Sequence, residues 1–163
     1  MKKRFLLGVA VLVMMAAFLA GCTLTGENIA VLGKWIDPSF DSMIIVTNED
    51  ILFYWPSSAT DTLYECSIEA YDNDKWNAGE TGSGSHGYMV LRYTKAPEGN
   101  PSVGGQYMIL RWKNLSGTGS GATMDYSEGY NAGGYSATQE QAVADFTDAA
   151  GSFGFYTVGT VRQ

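Results

Sequence analysis

The chain has 163 residues, of which 45% are hydrophobic and 17% charged. That is the length of one ordinary domain, with enough apolar content to bury a core. Ten Lys+Arg against 17 Asp+Glu give a formal net charge of −7. This argues against nucleic acid, whose binding rests on neutralising phosphates, and against a body lying flat on an anionic membrane.

Met1, Lys2, Lys3 and Arg4 form a cationic head, and an uncharged apolar run follows from Phe5 to Leu19. The run ends in Leu19-Ala20-Gly21-Cys22. A basic start, an apolar middle and small residues at a cut site are the layout of a secretory signal, here residues 1–21. A membrane span needs roughly 20 apolar residues, and this run is shorter. Leu19-Ala20-Gly21-Cys22 also resembles the bacterial lipobox. The resemblance implies a diacylglyceryl group on the Cys22 sulfur, cleavage before Cys22 and acylation of the new amine with a palmitate-type chain. Two or more chains give stable anchoring. The expected product is a lipoprotein of the cell envelope, held to its membrane by lipid. Thr23, where an aspartate would suggest inner-membrane retention, favours the outer membrane or cell surface. Removal of residues 1–21 leaves 142 of the 163, and loss of Lys2, Lys3 and Arg4 takes the net charge from −7 to −10.

Residues 22–32 read as the lipidated N-terminus and a tether, and 33–163 as a single domain. Gly33-Lys34-Trp35-Ile36 opens as a strand. Met43 to Thr47 and Ile51 to Trp55 are rich in β-branched and aromatic residues and flank Asn48-Glu49-Asp50, a hairpin pattern. Thr62 to Tyr71 alternates, with Tyr64, Cys66, Ile68 and Ala70 on one face and Glu65, Ser67 and Glu69 on the other. Cys66 therefore reads as a buried core residue. It is the one cysteine besides Cys22, so no internal disulfide forms once Cys22 is acylated. Asp72 to His86 is a polar, Gly/Ser-rich loop. Tyr88 to Thr94 and Gln106 to Lys113 are strands joined by a Pro/Gly loop from Ala96 to Gly105, and Thr123 to Tyr126 is another strand.

One helix interrupts the strands. Thr138 and Gln141 match a capping box. Ala142, Val143, Phe146, Ala149 and Ala150 then recur at helical spacing, and Gly151 suits the position just past a C-terminus. Phe153 to Val161 is the last strand. Seven or eight short strands with one late helix predict a mainly β fold, a small antiparallel barrel or a sandwich.

No catalytic or metal constellation stands out. Gly82-Ser83-Gly84-Ser85-His86-Gly87 has the letters of a dinucleotide loop but leads into a strand, not a helix. His86 is the single histidine and has no second imidazole to act with. Asp72-Asn73-Asp74 starts like a calcium loop, but Trp76 falls where an oxygen ligand belongs. The expectation is no catalytic residue, no metal and no cofactor beyond the lipid on Cys22. Among the aromatics, Trp35, Tyr107 and Trp112 read as core, and Trp76, in a polar loop, is the candidate exposed contact residue.

Tyr93-Thr94-Lys95-Ala96, the strand Gln106 to Leu115, Gly133-Gly134-Tyr135-Ser136, Ala142, Phe146 and Phe155 resemble a group of small lipoproteins from spirochaetes. The likeness runs from about Tyr88 to the end, with Gly33-Lys34-Trp35 added, and departs at Ser127 to Tyr130 and at Gly154 and Gly159. The group has no assigned activity, so the resemblance implies a layout and not a reaction. Gly33-Lys34-Trp35 is also similar to the first strand of lipocalins, which implies a lipocalin-like barrel as a fold and nothing of function. Two binding roles and one enzymatic role follow. The first is a surface module contacting another envelope or host protein. The second is a lipocalin-like carrier of a small apolar ligand, and the third a hydrolase whose site the sequence does not display.

Overall fold

A computed structural model describes residues 28–75, 85–131 and 134–163. Leu19, Ala20, Gly21, Cys22 and Trp76 lie outside the described residues. Eight strands form a closed barrel in which each pairs antiparallel with its sequence neighbours and β8 returns to β1. They are β1 (Gly33–Asp37), β2 (Ser42–Val46), β3 (Asp50–Tyr54), β4 (Tyr64–Asp72), β5 (Gly87–Lys95), β6 (Tyr107–Ser116), β7 (Thr123–Glu128) and β8 (Thr157–Arg162). One helix, α1 (Gln139–Asp145), lies between β7 and β8. Of the two architectures left open by strand spacing, the barrel is the one formed. Closure removes the unpaired edges that a sandwich keeps.

Register turns the alternation into an interior. Trp35 pairs with Ile44, Ile44 with Phe53 and Phe53 with Tyr64, which places all four on the lumen side. Val46, Ile51, Cys66 and Tyr93 form a second row by the same pairing. Trp35, Ile44, Ile51, Met89, Leu110 and Trp112 are all essentially inaccessible, so the middle of the barrel is filled by its own side chains. Gly87 makes room for one of them. A Cβ at Gly87 would lie 2.1 Å from Trp112 Cζ2 and 2.3 Å from the Asp72 carbonyl oxygen.

β5 and β6 are buried on both faces, so Tyr88–Leu91 reads as an unbroken apolar run and Met108–Trp112 as one broken by Arg111. The outer face is covered by α1 and the chain after it, through Ala142, Phe146 and Phe153. Arg111 lies in this layer. Its guanidinium is 3.7 Å from the Phe153 ring centre and donates to both Asp148 carboxylate oxygens at 2.9 and 3.0 Å.

Three boundaries differ from expectation. Residues 28–32, read as the end of a tether, belong to the barrel: Ile29 and Val31 are buried, and Trp35 Nε1 donates to the Val31 carbonyl at 2.8 Å. The helix begins as predicted, with Thr138 Oγ1 accepting from Gln141 N at 3.2 Å, but stops at Asp145 rather than running on through Ala150. Phe146 anchors to the barrel and Asp148 is drawn to Arg111, so the chain turns, and Ala149 and Ala150 are exposed. The last strand begins at Thr157 rather than Phe153, because Phe153 packs under Arg111 on the outer face. Gly159, inside β8, has φ of +70° beside a register shift at Met124/Tyr126, and its N–H donates to Asp125 Oδ1 at 2.9 Å. That conformation favours glycine.

Candidate functional site

The two ends of the barrel differ. One end carries Asn28–Leu32, the 47–49 turn, residues 73–75 and 85–86, and the 117–122 turn. Ile29, Val31, Trp35 and Trp112 close it, and Arg162 lies over the Trp35 ring with 5.8 Å to the ring centre. The other end, the mouth, is framed by residues 38–41, 55–63, 96–106, 129–131 and 134–156.

Strand ends direct the mouth side chains. Tyr64 opens β4 and Glu128 ends β7, and the Tyr64 hydroxyl donates to Glu128 Oε2. Tyr64 stacks on Phe53 with 4.1 Å between ring centres, Tyr93 lies 5.5 Å from Tyr64, and Tyr135 meets Tyr93 edge-on at 5.1 Å. Tyr126, two residues before Glu128, is hydrogen-bonded with Ser42 and Thr157. Asp37, at the end of β1, is buried; Oδ1 accepts from Ser39 N at 2.7 Å, while Oδ2 has no hydrogen-bond partner.

This is an aromatic cup with carboxylates in it. Crowding by the surrounding side chains raises the Glu128 carboxyl from its ordinary value, and the Tyr64 hydroxyl pulls it partly back. Burial and then the Glu128 charge push the Cys66 thiol up, and the same causes take Tyr126 to about 12. Burial first, and then Glu128, hold the Tyr64 phenol well above its ordinary value. Glu128 is crowded on its lumen side, yet solvent reaches it through a cavity of about 380 Å³ lined by Tyr130, Gly151, Ser152, Gly154 and Phe155. A second hollow of about 550 Å³ lies on the other side of Tyr130, against Asn100, Gln106 and Tyr135.

The rim is apolar. Among the described residues the large exposed hydrophobics are Phe40 (71% accessible), Trp55 (64%), Leu63 (44%), Tyr130 (72%), Phe155 (91%) and Val158 (64%); the first five lie in the mouth connections, and Val158 is the second residue of β8. Hydrogen bonds fix part of this rim. Trp55 Nε1 donates to the Phe40 carbonyl at 3.2 Å, and the Ser57 backbone N–H donates to the Asp41 carbonyl at 2.6 Å.

The residues singled out in the sequence do not make this site. Trp35 and Trp112 are core, as expected, and Tyr107 is half-buried with Arg92 6.0 Å over its ring. Cys66 is buried as the alternation required. His86 is half-buried at the closed end, away from Glu128. Asp72 pairs with Lys75 at 3.8 Å and accepts from Asp74 N, while Asn73 binds the backbone of Asn28 and Ala30. Sequence reasoning missed Glu128, Trp55, Phe40 and Phe155. For Glu128 a signal existed: continuing the alternation of Met124 and Tyr126 by one step puts a carboxylate on the apolar face.

No known protein family, curated protein or solved structure matches the chain. Its own geometry therefore defines its class, a closed eight-stranded antiparallel barrel, filled inside, with an acidic aromatic mouth at one end.

Proposed function

We propose that the chain is a lipid-anchored envelope protein whose barrel mouth binds a molecule lying beyond the membrane that holds it. The carrying observation is that, among the described residues, five of the six large exposed hydrophobics lie in the connections at the end opposite the N-terminal segment. Exposed apolar side chains gathered at one end of a domain mark interaction sites, and aromatic residues dominate such sites. With Cys22 acylated, the six residues to Asn28 reach at most about 20 Å, which keeps the closed end near the membrane. The ten residues of β6, at about 3.4 Å each and tilted by roughly 40°, set the mouth some 25 Å further out. The acidic body works against collapse onto an anionic surface.

A small-ligand carrier is the second reading, favoured by the mouth cavities of about 380 and 550 Å³, a size that small-molecule sites share. The filled interior places such a ligand at the mouth and not deep in the lumen. No nucleophile and base come together at the mouth among the described residues, so no reaction is proposed.

The test is photocrosslinking in the cells that make the protein, with benzoylphenylalanine at Phe40 or Phe155 and, as control, at Ser120 in the closed-end turn. The expected result is one defined adduct from the mouth positions and none from Ser120. No adduct from either mouth position, or the same adducts from Ser120, would overturn the reading.

A further inference from the structure

We infer that the cavity between Glu128, Tyr130 and Phe155 is a recognition site for a small organic ammonium ion carrying a short apolar body. The inference rests on the reading of the mouth as the binding face and adds the chemistry of its ligand.

The first observation is an unbalanced charge. Glu128 accepts from Tyr64, and neither ion pair among the described residues, Lys75–Asp72 or Arg111–Asp148, includes it. The cations of neighbouring elements are engaged elsewhere. Lys95 Nζ donates to the Thr62 carbonyl and hydroxyl at 2.8 and 2.7 Å, Lys113 Nζ lies 3.7 Å over Tyr156, and Arg92 Nε donates to the Gly105 carbonyl. Arg162 is at the closed end over Trp35. Asp37, whose Oδ2 has no hydrogen-bond partner, adds a second negative group on the lumen side of the mouth. Glu128 is solvent-exposed and lines the cavity, so its charge is available to a molecule that enters.

The second observation is the cavity beside that charge. Its walls are joined, because the Tyr130 N–H donates to the Ser152 carbonyl at 2.8 Å. Ser152, in the lining, is itself buried at 2% accessible. Tyr130 and Phe155 supply ring faces, and ring faces attract cations and cover alkyl groups. A volume of about 380 Å³ suits a small molecule.

These groups select by charge and by hydration. An anion meets the Glu128 field. A neutral alkyl group strips water from the carboxylate and returns no hydrogen bond. A calcium ion asks for six to eight oxygens, and no group of three or more His, Cys, Asp or Glu capable of holding a metal occurs among the described residues. An alkylammonium suits these walls: its N–H groups reach Glu128, and its chain lies on Tyr130 and Phe155.

The experiment titrates the detergent-solubilised full chain with n-butylammonium, 1-butanol and butyrate at neutral pH, followed by protein NMR. Butylammonium is expected to bind saturably, at least tenfold more tightly than butanol, with butyrate not binding. Glu128→Gln is expected to lose at least tenfold for butylammonium and to leave butanol unchanged, with its melting curve confirming that it is folded. Phe155→Ala, at a fully exposed position, gives a second variant that weakens butylammonium binding several-fold. Equal binding of butanol and butylammonium, or full binding by a folded Glu128→Gln, overturns the inference. If cross-links from Phe40 and Phe155 persist in that case, the mouth remains the binding face and the cation assignment alone falls.

Discussion

Tyr64 donates its hydroxyl proton to Glu128 across the barrel mouth, joining β4 to β7, strands that are not neighbours in the sheet. The bond spans the lumen and separates two environments. Below it the barrel is filled with Trp35, Ile51, Met89 and Trp112. Above it lie the cavity and the exposed rim. The charge of the mouth is thus held at the level where packing ends.

Glu128 gives a pH-dependent prediction. A carboxyl whose folded pKa is raised holds its proton more tightly in the folded chain than in the unfolded one. Its contribution to stability is fully present below the unfolded value of about 4.3 and is lost as pH rises through the folded value. Glu128→Gln keeps an acceptor for Tyr64 and does not titrate. Urea midpoints of both proteins at pH 3.5 and 7.5 should therefore shift in favour of the variant at the higher pH. A difference that stays constant between the two pH values counts against a raised carboxyl.

Cys66 should react slowly with alkylating reagents in the folded protein and fast in denaturant. Burial limits access and, with the Glu128 charge, pushes the thiol up, so little thiolate forms near neutral pH. Rapid native-state labelling, followed by mass spectrometry, would show that β4 presents its other face to the lumen.

The tryptophans divide by position. Trp112 is fully buried and Trp55 is 64% accessible. Trp112→Ala should cost about 3–5 kcal/mol, and Trp55→Ala should stay within about 0.5 kcal/mol of the parent, both from denaturant melts. Similar losses at the two sites would place the Trp55 ring against the barrel instead of on its rim.

Two glycines offer a sharper contrast. Gly87→Ala puts a Cβ 2.1 Å from the Trp112 ring and 2.3 Å from a backbone oxygen, whereas a Cβ at Gly99 meets nothing within 4 Å. The first should cost about 1–3 kcal/mol or more through overpacking, and the second should fall within about 0.5 kcal/mol of zero. Thermal melts that fail to separate the two variants would argue against the pairing of Gly87 with Trp112.

Anchoring is tested at Cys22. Cells given labelled palmitate should transfer label to the parent chain and not to Cys22→Ala, with the variant released from membranes on fractionation. Equal labelling of both removes the anchor from the proposed function.

Local pattern was enough for much of the barrel. Period-two alternation from Tyr64 to Ile68 fixed which side of β4 faces the lumen, up to a register shift before Ala70 that the sequence did not display, and Asn48-Glu49-Asp50 marked the turn between β2 and β3, closed by Thr47 N donating to the Asp50 carbonyl at 2.9 Å. Thr138 and Gln141 marked the start of the helix. Alternation, turn chemistry and capping are short-range, and a linear sequence displays them. The helix end was not legible, because Asp148 is drawn from the helical path by Arg111, 37 residues earlier in the chain. Nor was the role of Ile29 and Val31, which reads as tether until the barrel offers them a place beside Trp35.

By itself, the sequence determined the secretory and lipobox pattern ending at Cys22, the β character of the domain, the burial of Cys66, Trp35 and Trp112, and an acidic body. The tertiary structure decided between barrel and sandwich, because closure depends on β8 pairing with β1, a contact spanning almost the whole domain. It also decided the site. Phe40, Trp55, Tyr130 and Phe155 come from three separate connections and meet because those connections emerge at one end of the barrel. Glu128 gains its meaning from Tyr64, 64 residues away, and from the absence of a paired cation among the described residues. Counting 17 acidic residues cannot single it out. Alternation says which face of a strand a side chain occupies, but what it meets across the lumen is fixed by strand order and register in three dimensions.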